Sequence, residues 1–225
     1  MEDGKAMNKL NVLYEDNHII VVEKPVNVLS QGDSTGDYSL LDMVKEYVKE
    51  KYNKPGNVYI GLVHRLDRPV GGIMVFARTS KAASRLSSQL SNCGFSKNYY
   101  AIVSGKLEKD SGVFIDYLKK LENGNTIVSS DGKKAILSYR VIEYSKKYDA
   151  SLVDISLETG RHHQIRVQFA SRGHHLLGDQ RYGCKDLTQI ALFSYSLNFV
   201  HPVTKEELNF TLMPEKKGHW TKFTF

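Results

Sequence analysis

The sequence lacks the features that mark several common classes of protein. It has two cysteines, Cys93 and Cys184, and neither belongs to a Cys-x-x-Cys pattern. This spacing disfavours a disulfide framework and a zinc ribbon, and it favours a reducing, intracellular setting. No stretch approaches the roughly 18 to 20 apolar residues that a membrane-spanning helix needs. The N-terminal MEDGKAMNKL has no apolar core, so it does not resemble a secretory signal.

Motifs for nucleotide cofactors are missing as well. No Gly-x-Gly-x-x-Gly follows an apolar run, and no GxxxxGK[ST] phosphate loop is present. Adjacent histidines, as at 162–163 and 174–175, are expected to point to different faces, which disfavours a shared metal ion. We therefore expect no cofactor and no metal. Internal repeats, low-complexity tracts and linkers are also absent.

What the chain does have is the composition of a folded, basic domain. Its 225 residues are 41% hydrophobic and 25% charged, and the formal net charge is +6. These values predict one domain at residues 10–225 after a short polar tail at 1–9. The positive charge mildly favours a polyanionic partner, with nucleic acid first. We expect a soluble, monomeric protein in the cytoplasm, without a membrane partner.

Strand patterns with a few interspersed helices predict an α+β fold. Residues 12–23 read as a hairpin, 39–52 as a helix capped by Ser39, 58–63 as a strand, and 80–93 as a second helix. Strands are expected at 97–105 and between 112 and 157, a short helix at 162–171, and a closing hairpin at 192–212. The residues from Pro214 onward look like a basic tail.

The stretch VHRLDRPVGGIMVFART, at residues 63–79, is the richest in chemistry. Asp67 lies between Arg65 and Arg68, and the pair Gly71-Gly72 follows. Nearby positive charge keeps a carboxylate ionised, and a glycine bend would let a substrate approach. The pattern thus fits a carboxylate nucleophile, but it fits an ordinary ion pair in a surface loop equally well.

A second stretch, LETGRHHQIRV at 157–167, gathers Arg161, His162, His163 and Arg166 in the first part of a predicted helix. A helix start attracts anions, and arginines there would complete a phosphate or carboxylate site. The alternative is an exposed, solvated helix face. In KNYYAIVSG, Tyr99 fits either core packing or a ring that stacks on a base. Lys24, at a strand end, is a weak signal by itself.

Taken in order, HRLD at 64–67, KNYYAIVSG at 97–105 and ETGRHHQIR at 158–166 resemble the RluA family of pseudouridine synthases. The segments EKPVNVL, GDQRYG at 178–183 and HPVT at 201–204 extend the resemblance over about residues 11–214. It implies the pseudouridine synthase fold, with a mixed, mostly antiparallel central sheet flanked by helices and an RNA-binding cleft. It further implies a catalytic domain without the N-terminal S4 domain that many members carry.

The resemblance also implies an activity, the isomerisation of specific uridines in ribosomal or transfer RNA to pseudouridine without a cofactor. Asp67 falls on the family's catalytic aspartate. Arg166 falls on the residue that pairs with it, and Tyr99 on the tyrosine that stacks on the target uracil. Ile165 falls on an aliphatic position against the same ring. Asp67 would either attack C1′ of the ribose or help to remove the C2′ proton.

A target uridine in an RNA stem-loop must be flipped out of its stack before it can reach such a site. Arg65 matches the arginine that fills the vacated space. His64 and Arg161 are candidates for contacts with the RNA backbone, as are His163 and Gln164.

The sequence departs from the family pattern after HRLD, where Pro69-Val70-Gly71-Gly72 replaces a TSG-like element. A supporting hydroxyl pair is lost there, and proline stiffens the loop. His162 stands where a smaller residue is common. Two alternatives to an active synthase follow: a catalytically silent RNA-binding relative, and a carboxylate glycosidase, for which Glu158 would be the second acid.

Overall fold

The computed structural model describes residues 10–92 and 94–224. In that part of the chain, eleven strands form one sheet and three α-helices pack against it. The helices are α1 Leu40–Lys51, α2 Ser80–Ser91 and α3 Gln164–Ala170. The strands are β1 Val12–Glu15, β2 Ile19–Lys24, β3 Gly61–Leu62, β4 Gly71–Ala77, β5 Ser96–Ser104, β6 Ser111–Lys120, β7 Thr126–Val128, β8 Lys133–Ser145, β9 Ala150–Leu157, β10 Leu192–Val200 and β11 Glu207–Thr211.

The sheet is mixed and mostly antiparallel, which confirms the predicted α+β class. Its order is β1-β2-β4-β10-β5-β9-β8-β6-β7, with β3 beside β4 and β11 beside β10. The β4–β10 pair is parallel, at Gly71 and Gly72 of β4, whereas the neighbouring pairs β2–β4 and β5–β10 are antiparallel. This junction brings the start of β4, and with it the loop that precedes it, into the middle of the sheet.

The two faces of the sheet are covered by different helices. Along β2, Ile20 and Val22 face the layer that holds α1 and α3, while Ile19 and Val21 face the layer that holds α2. The period of two in strand side chains produces this separation. Helix α1 begins as predicted, because Ser39 and Asp42 form a reciprocal capping box that is typically worth about 1 kcal/mol.

The glycine pair in β4 has a different role from the one predicted. Gly71 and Gly72 are buried in the strand and pack against β10, so they do not form a bend open to substrate. Gly72 has φ of +131°, and a Cβ there would lie 2.3 Å from the backbone oxygen of Ser194. The close approach of two strand backbones explains the glycine.

Two segments differ from the prediction. The expected strand at 58–63 is limited to Gly61–Leu62, because β10 already pairs with the start of β4 and leaves only its end free. The expected tail after Pro214 instead packs Trp220 and Phe223 against β5 and β9. The polar tail at 1–9 and the predicted helix end at Cys93 lie outside the described residues. None of the described helices has the length and hydropathy of a membrane-spanning segment.

Candidate active site

The predicted site residues meet at one open cleft. A cavity of about 1010 Å³ lies over the face of the sheet that carries α3. Its wall includes His64, Arg65, Asp67, Tyr99, Arg161 and Arg166. The seventh, Ile165, lines an adjoining cavity of about 90 Å³ together with Asp67, Tyr99 and Arg166. Residues from the β3–β4 loop, β5 and α3 therefore converge, although they are far apart in the sequence.

The loop that carries Asp67 is held at four consecutive carbonyl oxygens, those of residues 66–69. The four hydrogen-bond donors, in order, are Ser30 Oγ at 2.7 Å, the Val70 N–H at 2.9 Å, Lys24 Nζ at 3.0 Å and Gln189 Nε2. Gln189 in turn accepts a hydrogen bond from Asn27 Nδ2 at 3.0 Å. Because three separate segments hold this loop, the position of Asp67 is fixed before any ligand binds.

The carboxylate of Asp67 faces the cleft with its side chain 25% exposed. Arg166 Nη1 donates a hydrogen bond to Asp67 Oδ2 at 3.0 Å. His163 Nε2 lies 3.5 Å from the same oxygen. Within residues 10–92 and 94–224, both of these contacts are made to Oδ2, and Oδ1 takes no part in them.

Arg166 also binds a second carboxylate, that of Asp179. Its Nε and Nη2 each donate to Asp179 at 2.8 Å, and the Asp179 side chain is fully buried. Burial works to lower the pKa of Arg166, but the hydrogen bonds and charge of Asp179, with those of Asp67, raise it above its ordinary value. The guanidinium is therefore a permanent cation held between two carboxylates.

The segment before α3 differs from the prediction. The helix begins at Gln164, so Arg161, His162 and His163 precede it, and α3 has only seven residues. His163 is its N-cap in the left-handed region, with φ of +52°. The two histidine rings do not diverge as predicted, because this backbone turn stacks them with centroids 3.7 Å apart. Arg161, His162 and His163 therefore lie in the turn before α3 and not in its first part, as was predicted.

The His163 side chain lines the cleft but is only 8% exposed. Its Nδ1 lies 2.7 Å from the hydroxyl of Tyr182. Burial and the nearby charge of Arg166 lower the pKa of His163 to about 3. The ring is thus neutral at physiological pH, and its contact with Asp67 is not an ion pair between full charges.

Tyr99 lies on β5 and is only 7% exposed. Burial raises its pKa to about 12, to which the charge of Asp67 adds, while a hydrogen bond with Ser194 works in the opposite direction. The hydroxyl is therefore protonated at neutral pH. An aromatic ring beside a carboxylate in a cleft can stack on a planar ligand.

Lys24 supports the loop that carries Asp67, a role that its weak signal in the sequence did not predict. It is fully buried, and its Nζ donates to the carbonyls of Pro25 at 2.9 Å and Arg68 at 3.0 Å. Burial lowers the pKa of Lys24 to about 7, although the charge of Asp67 works to raise it. The position directly before a proline at a strand end was the available signal, since Pro25 cannot extend the strand.

His64 has one ring nitrogen fewer for the predicted contact with the RNA backbone. Its Nε2 accepts a hydrogen bond from the Val75 N–H at 3.1 Å, which leaves only Nδ1 for another partner. Burial, with the charge of Lys97, lowers the pKa of His64 to about 3. The ring therefore supports the start of the HRLD segment from β4.

The rim of the cleft carries exposed cations. Arg65 is exposed beside Asp67. Arg161 is also exposed, and its Nε donates to the backbone oxygen of Lys134 at 2.9 Å. Lys120 and Arg181 also line the cleft and add positive charge. Such a rim attracts polyanions. Among residues 10–92 and 94–224, no group of three His, Cys, Asp or Glu side chains has the arrangement of a metal site.

Sequence patterns alone missed Asp179 and Tyr182. Both belong to GDQRYG, a segment that contributes to the resemblance without an assigned role. Gly178 has φ of +76°, and a Cβ there would lie 2.4 Å from the backbone oxygen of Gln189. A glycine that a tight turn requires, followed by an acid, was the signal that could have identified this turn.

Known proteins are similar in sequence to most of this chain. The family model described as RNA pseudouridylate synthase matches residues 18–171. An uncharacterized RNA pseudouridine synthase of Aquifex aeolicus (strain VF5) is 33% identical over 219 residues, which cover 90% of this chain and 69% of the relative. The ribosomal large subunit pseudouridine synthase D of Vibrio cholerae serotype O1 (strain ATCC 39315 / El Tor Inaba N16961) is 36% identical over 221 residues, 89% of this chain and 66% of the relative. The chain thus spans about two thirds of these relatives.

Solved structures show the same fold at lower sequence identity. Human RNA Pseudouridylate Synthase Domain Containing 4 superposes with a TM-score of 0.75 at 20% identity, covering 91% of this chain and 89% of that one. Human RNA Pseudouridylate Synthase Domain Containing 1 gives a TM-score of 0.73 at 22% identity, covering 96% and 87%.

Proposed function

The chain belongs to the RluA branch of the RNA pseudouridylate synthase family, isomerases that act on RNA, and on that premise we propose that it converts specific uridines to pseudouridine with Asp67 as the catalytic carboxylate. The observation that carries this proposal is the 3.0 Å hydrogen bond from Arg166 to Asp67 at the floor of the cleft. This hydrogen bond sets a permanent cation against the carboxylate and orients it toward the cleft.

The reaction is an isomerisation, so its atoms balance without a second substrate. The bond between N1 of uracil and C1′ of ribose breaks, the base turns, and C5 bonds to C1′. The hydrogen on C5 then leaves as a proton, and N1 gains one. Asp67 acts on the ribose either as a nucleophile at C1′ or as the group that accepts the C2′ proton.

The other residues of the cleft bind and orient the uridine. Tyr99 supplies a protonated aromatic ring for stacking on the uracil, and Ile165 packs against the same ring from α3. Arg65, exposed at the rim, fits the role of occupying the space that the flipped nucleotide leaves in the RNA. Arg161 is placed for the phosphate backbone. The His64 ring, bound to β4, acts as a support for the loop.

Ribosomal RNA is the favoured substrate. Among the relatives, those of Vibrio cholerae and of Nitrosomonas europaea (strain ATCC 19718 / CIP 103999 / KCTC 2705 / NBRC 14298) are described as ribosomal large subunit pseudouridine synthases. A transfer RNA stem-loop remains the alternative. A single catalytic domain at residues 10–225, acting as a cytoplasmic monomer, stays a prediction.

The test measures release of tritium from RNA that carries uridine labelled at C5. Ribosomal and transfer RNA from a strain without this gene would serve as substrates. We expect the wild-type protein to release tritium and to form pseudouridine at defined positions. We expect Asp67→Asn to release none, while its affinity for RNA stays close to wild type, because affinity comes mostly from cationic contacts with phosphate.

A matched control is available close to the same loop. Asp37 is an exposed carboxylate that forms an ion pair of 2.7 Å with Arg68, so Asp37→Asn should keep full turnover. Unchanged turnover in Asp67→Asn would refute the assignment of the carboxylate. Release of free uracil by the wild type would indicate a glycosidase, and RNA binding without tritium release would indicate a silent relative.

A further inference from the structure

Asp179 is linked to Asp67 through Arg166, which binds both carboxylates. Its two oxygens take the hydrogen bonds of Nε and Nη2 of Arg166, each at 2.8 Å. Only Nη1 is then directed at Asp67, at 3.0 Å from Oδ2. The guanidinium of Arg166 therefore binds the buried Asp179 in a bidentate manner and forms a single hydrogen bond with Asp67 in the cleft.

The main chain holds Asp179 rigidly in this place. The Asp179 N–H donates to the oxygen of Leu176 at 3.1 Å, and the Asp179 oxygen accepts from the N–H groups of Tyr182 at 3.2 Å and Cys184 at 3.1 Å. The residue is 1% exposed. Because Asp179 is fixed at these points, it can hold the flexible side chain of Arg166 in one orientation.

Arginine binds a carboxylate most strongly through two parallel hydrogen bonds. A guanidinium free to turn would form that bidentate pair with Asp67 and engage both of its oxygens. With Asp179 in place, Oδ2 of Asp67 takes the contact with Arg166 as well as the approach of His163 Nε2 at 3.5 Å. The negative charge of Asp179 also offsets the charge of Arg166, which weakens its hold on Asp67.

We propose that Asp179 is a positioning residue that restricts Arg166 to one hydrogen bond with Asp67 and so keeps Oδ1 of Asp67 available to the ribose. The inference rests on the proposed function. It makes Arg166 an orienting partner whose strength of pairing is limited by a second carboxylate. Asp179 touches no substrate and acts only through Arg166.

The experiment replaces Asp179 by asparagine and, separately, by serine. In Asp179→Asn an amide N–H₂ group meets an arginine donor, and the charge is lost, so Arg166 should turn toward Asp67. Misplacement of a catalytic group by about 1 Å costs roughly 10²-fold in rate. We expect kcat for tritium release to fall by about that factor while KM for RNA is unchanged, since neither residue faces the phosphate backbone.

The control tests an ion pair of the same kind on the same side of the sheet. Asp116 receives two hydrogen bonds from Arg172, just after α3, at 2.9 and 3.1 Å. It does not line the cleft that holds Asp67. Asp116→Asn should therefore keep the wild-type kcat, even if its thermal stability falls as far as that of the Asp179 variants.

The outcomes separate this inference from the proposed function. A wild-type protein that releases no tritium defeats the proposed function itself. An active wild type together with a folded Asp179→Asn or Asp179→Ser variant of wild-type kcat overturns only the role of Asp179. If neither variant folds, Asp179 is a folding residue and the inference is equally overturned. A fall in kcat at constant KM in folded protein supports it.

Discussion

The buried lysine at the end of β2 gives a prediction about stability that depends on pH. Lys24 is fully buried, and burial lowers its pKa to about 7 from the ordinary 10.5. Between these two values the unfolded chain holds a proton that the folded chain does not hold. Folding stability therefore rises with pH across this window, and it is lowest below pH 7 where the folded protein must carry the buried charge.

The magnitude follows from proton linkage. Full separation of the two pKa values corresponds to about 5 kcal/mol, at roughly 1.4 kcal/mol per pH unit. Between pH 7 and pH 9 the folded group is only partly protonated at the start, so the expected gain is about 2 kcal/mol. Lys24→Met removes this contribution. The variant also loses the hydrogen bonds to Pro25 and Arg68, so the slopes must be compared and not the absolute stabilities.

The assay is urea unfolding at several pH values from 6.5 to 9.5. The free energy of unfolding of the wild type should rise relative to that of Lys24→Met across pH 7 to 9. Lys134→Met, at an exposed position on β8, should follow the wild-type curve. Parallel curves for the wild type and Lys24→Met would show that Lys24 does not lose its proton in this window and would refute the argument.

Three further predictions concern Gly72 at the strand junction, Arg166 and the half-buried His64. Gly72→Ala places a Cβ 2.3 Å from the backbone oxygen of Ser194 at φ of +131°, so urea unfolding should show a loss of at least about 3 kcal/mol. Arg166→Ala should lower kcat by about 10²-fold or more at saturating RNA, whereas a change confined to KM would make Arg166 a phosphate contact and not the partner of Asp67. The pKa of His64 is about 3 in the folded protein against an ordinary 6.5, so the unfolded chain binds the extra proton and stability falls as pH drops from 6.5. The His64→Gln variant should lose less stability than the wild type as the pH drops. The difference should be below about 1.4 kcal/mol per pH unit, because the ring is partly exposed. Urea unfolding from pH 4 to 7 would measure the free energy of unfolding of both proteins.

Elements stabilised by neighbours in the sequence were predictable. The hairpin at 12–24 follows from two apolar runs around a polar turn, and α1 follows from its cap and its apolar period. The strand predicted at 97–105 is also present, and its alternation places Tyr99 and Ile102 on opposite faces of the sheet. In each case the stabilising contacts lie within a few residues, or they repeat with the period of the element.

Contacts between distant segments could not be derived from local patterns. Asp67 and Arg166 are 99 positions apart, and only the resemblance to a family paired them. Nothing in the sequence around Gln189 indicates that it reaches Pro69, 120 positions away. The stacking of His162 on His163 also escaped prediction, because it depends on the left-handed backbone of His163 and adjacent residues of a regular helix would not stack.

Distant contacts hold the loop at the point where the sequence departs from the family pattern after HRLD. Proline at position 69 provides no N–H, and the absent hydroxyl pair removes local donors from the loop. The structure supplies donors from elsewhere: Lys24 binds the oxygen of Arg68, and Gln189 binds that of Pro69. The charge of Asp67 works to raise the pKa of Lys24 against the effect of burial, so the group that braces the loop also interacts electrostatically with the carboxylate whenever it is protonated. The same lysine therefore both braces the loop and faces the field of Asp67, so a change at Lys24 should disturb the loop and the electrostatic surroundings of the carboxylate together.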